Sequence, residues 1–360
     1  MQVLKSILKT NVFKTIFQEE LFVKKVIAVA LMVVMVLSLV GCAGSADDGM
    51  PKIGVTIYKF DDNFMSFVRR AIETEATDKA ELILNDSQNS QATQNDQVDI
   101  MISKGVKALA INLVDPQAAP TIIEKAKAEN LPVVFFNKEP NQTDLMSYDK
   151  AWYVGTNSAE AGVIQGKMMA EMWKANPEWD RNGDGIMQYV LLKGEPGHPD
   201  AEARTTFAIS TTEENGVAVE ELELQTGMWD SVKGKELMDA WLAKHGDAIE
   251  FVVANNDGMA LGAIQSLKSN GYFDGGVYMP VVGVDAIPDA LQQIKDGYMA
   301  GTVLNDAKNQ GKASFDLAMN VAMGNDPLEG TAWTMTDKAV RVPYVAVSID
   351  NIEFGENAYK

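Results

Sequence analysis

The sequence is poor in the residues that build cross-links and metal centres. One cysteine in 360 residues leaves no intrachain disulfide framework and no Cys-cluster zinc site. Two histidines, His198 and His245, are too few for a His-rich catalytic metal centre. Basic residues are outnumbered, 31 Lys and Arg against 50 Asp and Glu, for a formal net charge of −19. That balance argues against nucleic acid as a partner, because a phosphate backbone is bound through a basic surface that releases counterions. What is present is a globular composition, 46% hydrophobic and 22% charged. At this length a single hydrophobic core is not enough, so two domains are expected.

No apolar run reaches the roughly 20 residues that a bilayer crossing wants. The longest follows Lys24 and Lys25 and spans Val26 to Val40, apolar apart from Ser38. It ends in Gly41-Cys42-Ala43-Gly44-Ser45. A positive patch, a short apolar stretch and a small-residue junction describe an export signal over residues 1–41. The solitary cysteine stands at that junction, and Leu39-Val40-Gly41-Cys42 resembles a bacterial lipobox, in which Cys42 is acylated. An uncleaved anchor with an incidental cysteine is the other reading. Either way the remainder works outside the cytoplasm, lipid-anchored to the cell membrane on the first reading. Glu19 and Glu20 suit a signal poorly, so translation is expected to start nearer Leu21. Loss of residues 1–41 removes five Lys and two Glu and leaves the body at about −22. An anionic membrane repels such a body, so only the lipid holds it there.

After a tether at 42–51 the chain alternates strand and helix. Strands are expected at 52–58, 81–84, 108–112 and 133–137, with helices between them at 61–80, 91–104 and 116–129. A second series follows residue 155: helices at 158–176, 201–214, 231–245, 259–270, 288–296 and 307–323, with strands at 186–192, 218–224, 251–254, 280–284 and 302–304. Near-continuous apolar strands separated by helices are the pattern of a buried parallel sheet covered on both faces. Two such series imply an α/β protein of two doubly wound lobes, whose ligands bind beyond the carboxyl ends of the strands.

Those ends repeat the same residue types. They carry Asp62 and Phe64, Asn137, then His198, Asp200 and Arg204, Trp229, Asn256, Asp285, and Asn305. A sugar hydroxyl both donates and accepts, so carboxylates, a guanidinium fork and amides suit it, while flat rings suit the C–H faces of a pyranose. Asp and Asn in such places also serve as turn and cap residues, and for any one position that reading stands.

The segments GVTIYKFDDNFM (54–65), KGVKALAINLVDP (104–116), PVVFFNKEP (132–140), VLLKGEPGHPDAEARTT (190–206), VVANND (252–257), GVDAIP (283–288) and AGTVLND (300–306) resemble the D-galactose/D-glucose-binding proteins of bacterial ABC import systems. The resemblance covers nearly all of residues 52–347. It implies a type I periplasmic binding protein whose two lobes are joined by a three-strand hinge. The lobes would be 52–155 with 306–342, and 156–305 with 343–360. One hexose would lie between Phe64 and Trp229, bonded by Asp62, Asn137, His198, Asp200, Arg204, Asn256, Asp285 and Asn305. It also implies D-galactose and D-glucose as ligands, an ABC permease as partner, and a monomer. A sensor that feeds a chemoreceptor or a membrane kinase is the variant reading.

Asp180, Asn182, Asp184, the Ile186 carbonyl and Gln188 follow the alternating spacing of a Ca²⁺ loop, with Gly185 at the sharp turn. The acidic residue expected at position 12 is absent, since Leu191 stands there; the resemblance implies Glu250 in its place and one structural calcium. A turn without metal is the alternative. An enzyme remains as a competing class, since Asp62, Asp200 and Asp285 offer the carboxylates for an acid and base pair in a glycosidase. The expectation is no catalysis, with Arg and Asn holding every carboxylate ionised and none raised in pKa.

Overall fold

The fold is described from a computed structural model over residues 49–273, 275 and 277–359. The signal and lipidation readings, Cys42 among them, lie outside the described residues. No helix among those described is long and apolar enough to cross a membrane.

Residues 51–360 form one unit. It opens with β1 (Lys52–Ile57), α1 (Asn63–Ala76), β2 (Glu81–Asp86), α2 (Gln91–Ser103), β3 (Ala108–Ile111), α3 (Ala119–Ala128), β4 (Val133–Phe136), α4 (Gln142–Met146) and β5 (Ala151–Gly155). Then follow α5 (Ser158–Ala175), β6 (Ile186–Lys193), α6 (Pro199–Glu214), β7 (Ala218–Thr226), α7 (Ser231–His245), β8 (Phe251–Ala254), α8 (Asp257–Ser269), β9 (Val281–Val282), α9 (Pro288–Lys295), β10 (Thr302–Leu304) and α10 (Ala307–Ala322). The chain closes with β11 (Met335–Thr336), β12 (Ala339–Arg341), β13 (Val345–Val347) and α11 (Glu353–Asn357).

Two sheets organise these elements. The first has the order β11-β12-β5-β4-β3-β1-β2 and the second β7-β6-β8-β9, with β10 and β13 as a separate antiparallel pair. Both main sheets are parallel except for the β11–β12 hairpin at one edge. That hairpin, β13 and the short α4 were not expected from sequence: each has five residues or fewer, too short for a period to register. The expected helix at 116–129 divides into a 3₁₀ turn at Pro116–Ala118 and α3.

The central strands are apolar on both faces because helices cover both, and β3, β4 and β8 are buried end to end. Close packing needs small residues at defined points. A Cβ on Gly54 of β1 would stand 2.7 Å from Met101 Sδ of α2, and one on Gly311 of α10 would stand 2.5 Å from Ala71 Cβ of α1. The chain passes between the sheets after β5, before α10 and after β12. Two of these passages are tied side by side, with Val342 N–H bonded to Gly155 O at 2.8 Å and the Thr156 and Tyr344 hydroxyls 2.9 Å apart.

Candidate functional site

Asp62, His198, Asn256 and Asp306 each stand just before a helix and accept a hydrogen bond from that helix's first turn. Asp62 Oδ1 accepts from Met65 N–H at 2.7 Å, His198 Nδ1 from Asp200 N–H at 3.0 Å, and Asn256 Oδ1 from Met259 N–H at 3.0 Å. Asp306 Oδ1 accepts from Asn309 N–H at 2.9 Å. The capping reading and the binding reading of these residues are therefore compatible. A parallel sheet sends every strand's carboxyl end, and every following helix N-terminus, to the same edge.

That edge lines one cavity, with about 340 Å³ of space between its atoms including the part open to solvent. All ten residues singled out at the strand ends line it: Asp62, Phe64, Asn137, His198, Asp200, Arg204, Trp229, Asn256, Asp285 and Asn305. Asp62, Phe64 and Asn137 come from the first sheet, and the other seven follow β6, β7, β8, β9 and β10. Tyr58 and Met65 complete the lining.

Each polar group is held by a neighbour. Tyr58 donates its hydroxyl to Asp62 Oδ2 at 2.5 Å. Asn112 Nδ2 donates to Asn137 Oδ1 at 3.1 Å, and Tyr153 donates to Asn137 O at 2.7 Å. Arg204 spreads its fork to Asp200 Oδ2, the Tyr344 hydroxyl and Asn255 O, each at 2.9 Å. Its Nε–H is buried without a partner. Ser158 donates to Asp200 Oδ1 at 2.5 Å, and Asn305 Nδ2 donates to Asp285 Oδ1 at 3.1 Å. Asn256 Nδ2 donates to Trp229 O at 3.2 Å.

Three lining residues occupy left-handed backbone that favours glycine: Asn137 (φ 62°), Trp229 (φ 65°) and Asp285 (φ 128°). Strain of this kind persists where the surroundings over-determine it, and it gathers at functional sites. Trp229 is also fixed from behind. Its ring lies against the α-carbon of Gly194, where a Cβ would fall 2.2 Å from Cη2. His198 packs edge-on at 5.1 Å between ring centroids, and Arg204 stands 5.8 Å from the ring centre.

The carboxylates do not behave alike. Burial alone would raise Asp200, but Arg204, His198 and Ser158 outweigh it and hold the group below the ordinary carboxylate range. Burial raises Asp285 well above that range, with Arg204 opposing, and raises Asp62 against the pull of the Met65 N–H and the Tyr58 hydroxyl. The expectation that no cleft carboxylate is raised was wrong. Desolvation exceeds what one guanidinium shared among several acceptors returns.

Sequence reading passed over Tyr58, Ser158, Gly194 and Tyr344. Each acts by steadying a lining residue and carries no ligand chemistry that a pattern reveals. It also passed over Lys138 and Glu195, which flank recognised residues and meet across the cleft.

The loop at 180–188 folds back on itself. Asp180 Oδ1 and Oδ2 accept from Gly183 N–H at 2.8 Å and Gly185 N–H at 2.9 Å. Asn182 Oδ1 accepts from Asp184 N–H at 2.8 Å, Asp184 Oδ1 from Ile186 N–H at 2.8 Å, and Asp184 Oδ2 from Gln188 Nε2 at 2.9 Å. Glu250, just before β8, is buried and accepts from Arg181 N–H at 2.7 Å. Among the described residues no ion pair engages Asp180, Asp184 or Glu250, and no cluster of three His, Cys, Asp or Glu stands ready for a metal. The set depends on amide and carbonyl oxygens, which suit a hard cation.

Residues 53–326 match the family described as periplasmic binding protein domain. The chain is 54% identical to the D-galactose/methyl-galactoside binding periplasmic protein MglB of Haemophilus influenzae, over 87% of this chain and 94% of that one. It is 29% identical to the ribose import binding protein RbsB of Bacillus subtilis, over 76% and 82%. Among solved structures it resembles an ABC transporter solute binding protein from Bacillus halodurans with bound myo-inositol. That match has a TM-score of 0.74 and 31% identity, covering 88% of this chain and all of the other.

Proposed function

The chain belongs to the periplasmic binding protein domain family, and from that premise we propose that it captures one D-galactose or D-glucose molecule between its lobes for an ABC sugar permease. It works outside the cytoplasm and is not an enzyme. The observation that carries the hexose reading is the joint lining: both sheets contribute carboxylates, amides and a flat ring to one cavity. Asp62, Asp200 and Asp285 accept from sugar hydroxyls, while Asn137, Asn256 and Asn305 donate and accept. Arg204, with an Nε–H unspent, donates. Phe64 and Trp229 take the two faces of the pyranose.

Each buried hydroxyl exchanges water for protein and nets only ~0.5–1.5 kcal/mol, somewhat more against a charged partner. About ten such bonds with stacking support a micromolar or tighter complex after ordering costs, near −8 kcal/mol. Groups from both lobes reward closure, and a closed form populated at ~1% needs a ligand preference of ~10⁴ to reach 99%. The permease then reads the closed shape.

The chain is further read as a lipoprotein acylated at Cys42. One structural Ca²⁺ suits the oxygens of Asp180, Asn182, Asp184, Ile186, Gln188 and Glu250. The ion supplies positive charge to three acids that form no ion pair among the described residues; the residues' own task is to hold the loop against β8. Calorimetric titration of residues 42–360 with galactose, glucose and ribose tests the function. Saturable binding of either hexose, much tighter than ribose, is expected; ribose binding as tightly as both hexoses would overturn the assignment.

A further inference from the structure

The apolar side chains gather into clusters on both faces of the four-stranded sheet and of the seven-stranded one. Among the partly buried residues packed on the largest cluster of each, two touch both: Phe67 and Tyr359. Phe67 belongs to α1, whose cap Asp62 and second residue Phe64 line the cavity. Tyr359 follows α11, which is fastened to the other lobe. A Cβ on Gly355 would stand 2.6 Å from Leu291 Cδ2, and Glu356 pairs with Lys295 of α9. From that anchorage the Tyr359 ring meets Phe67 edge to face, with centroids 4.8 Å apart and planes at 72°. Its hydroxyl donates to Asp285 O at 3.2 Å.

Asp285 is a cavity residue in costly backbone, and few bonds hold its carbonyl. Asn305 N–H is the other donor, at 3.3 Å. One side chain thus grips a cavity residue of one lobe and the helix that carries cavity residues of the other. We propose that Tyr359 is an interlobe latch and a positioning residue for Asp285, selective for the closed, sugar-holding form. The logic is one of populations. A contact made only when the lobes meet multiplies the closed fraction, and with it the apparent affinity, by a single factor. Such a contact acts mainly on escape, so it slows dissociation more than it speeds association.

The inference rests on hexose capture, and the experiment separates the two. Galactose binding is followed by stopped-flow tryptophan fluorescence and calorimetry for the wild type, Tyr359→Phe and Tyr359→Ala, with melting of each sugar-free protein. Tyr359→Ala is expected to raise Kd about tenfold through faster dissociation, with association and sugar-free melting unchanged. Tyr359→Phe keeps the ring and loses the bond to Asp285, and about a threefold rise is expected. Adding Phe67→Ala to Tyr359→Ala should cost little more, because the pair is already broken. A wild type that binds hexose beside a Tyr359→Ala variant with unchanged Kd and dissociation rate overturns the latch alone. Lower sugar-free melting with unchanged dissociation does the same and assigns Tyr359 to stability. A wild type that binds no hexose overturns the capture reading and the latch with it. If Tyr359→Ala fails to fold, Tyr359→Phe decides: dissociation at the wild-type rate overturns the latch.

Discussion

Lys138 and Glu195 form an ion pair across the cleft, Nζ to Oε2 at 2.6 Å, with one partner from each lobe. Lys138 follows the cavity residue Asn137, is fully buried, donates also to Val114 O at 2.8 Å, and lies 4.2 Å from the Tyr58 ring centre. Burial lowers its pKa, and Glu195 opposes that shift. The two charges are unequally placed, since Glu195 keeps contact with water.

The asymmetry sets a ranking of variants. Glu195→Gln leaves a buried ammonium with a neutral partner, the costly way to break a pair, and hexose Kd should rise about 10- to 30-fold. Lys138→Met removes the buried charge, keeps the stem's packing, and leaves Glu195 to water. The Val114 contact lies within one lobe, so its loss weighs equally on open and closed forms. A change of about threefold is expected. Calorimetry on both variants gives the order, and a larger loss from Lys138→Met would contradict it.

Trp229 depends on a residue with no side chain. With no room behind the ring for even a methyl group, Gly194→Ala must push the indole into the space the ligand takes. We expect hexose binding to weaken at least tenfold in Gly194→Ala and about 100-fold in Trp229→Ala, the latter reflecting the lost aromatic contact area. Melting of sugar-free Trp229→Ala should stay close to wild type, because the ring is only partly buried. Normal binding by Trp229→Ala, read by the same titration, would remove Trp229 from the site.

How much of this was legible beforehand follows from what each residue does. Asp62, Asn256 and Asp285 stood out because a parallel sheet places strand ends together, so position along the chain reports position in space. Phe64 and Trp229 stood out by the same placement, and the resemblance added only that one hexose lies between them. Gly194 was passed over, because nothing in a sequence says which ring a glycine will face. Tyr344 lies about 140 positions from Arg204, whose fork it receives at 2.9 Å, and no local period connects them. Tyr359 was assigned to a lobe with the rest of residues 343–360, while its contacts depend on how the two lobes meet. The mixed states of the carboxylates were missed for a related reason. Charge partners are visible as residue types, but desolvation is a property of the packed whole.

His198 gives a prediction in pH. Its Nδ1 accepts from Asp200 N–H, which leaves the proton on Nε2, and burial lowers its pKa to about 3. The unfolded chain takes up this proton near pH 6.5. Between those values the unfolded state binds more protons, so this histidine makes stability rise with pH from about 3 to 6.5 and level off above. At pH 4.5 it should cost the folded protein on the order of 2 kcal/mol relative to pH 7.5. His198→Gln removes this contribution. Guanidinium melts at both pH values should therefore differ less for the variant than for the wild type, whatever the buried acids contribute to both. An identical difference would mean that His198 titrates normally in the folded protein.

The loop at 180–188 is separable from the sugar cavity, because none of its residues lines that cavity. Glu250 is the point where it meets the second sheet. Its carboxylate is buried, burial raises its pKa, and backbone N–H groups of Arg181, Gln188 and Asn182 oppose the shift, with a smaller pull from the Arg181 charge. An ion bound by folded protein alone stabilises it by about 2.7 kcal/mol at 100 times its Kd. Chelation should therefore lower the melting temperature by several degrees, and Ca²⁺ should restore it where equimolar Mg²⁺ does not, since Mg²⁺ demands stricter octahedral geometry. In Glu250→Gln the Ca²⁺-dependent increment should vanish, while galactose Kd stays within about twofold because closure does not involve the loop. Melting that ignores both chelator and Ca²⁺ would leave the loop an Asx-rich turn, with Glu250 fixed by backbone hydrogen bonds alone.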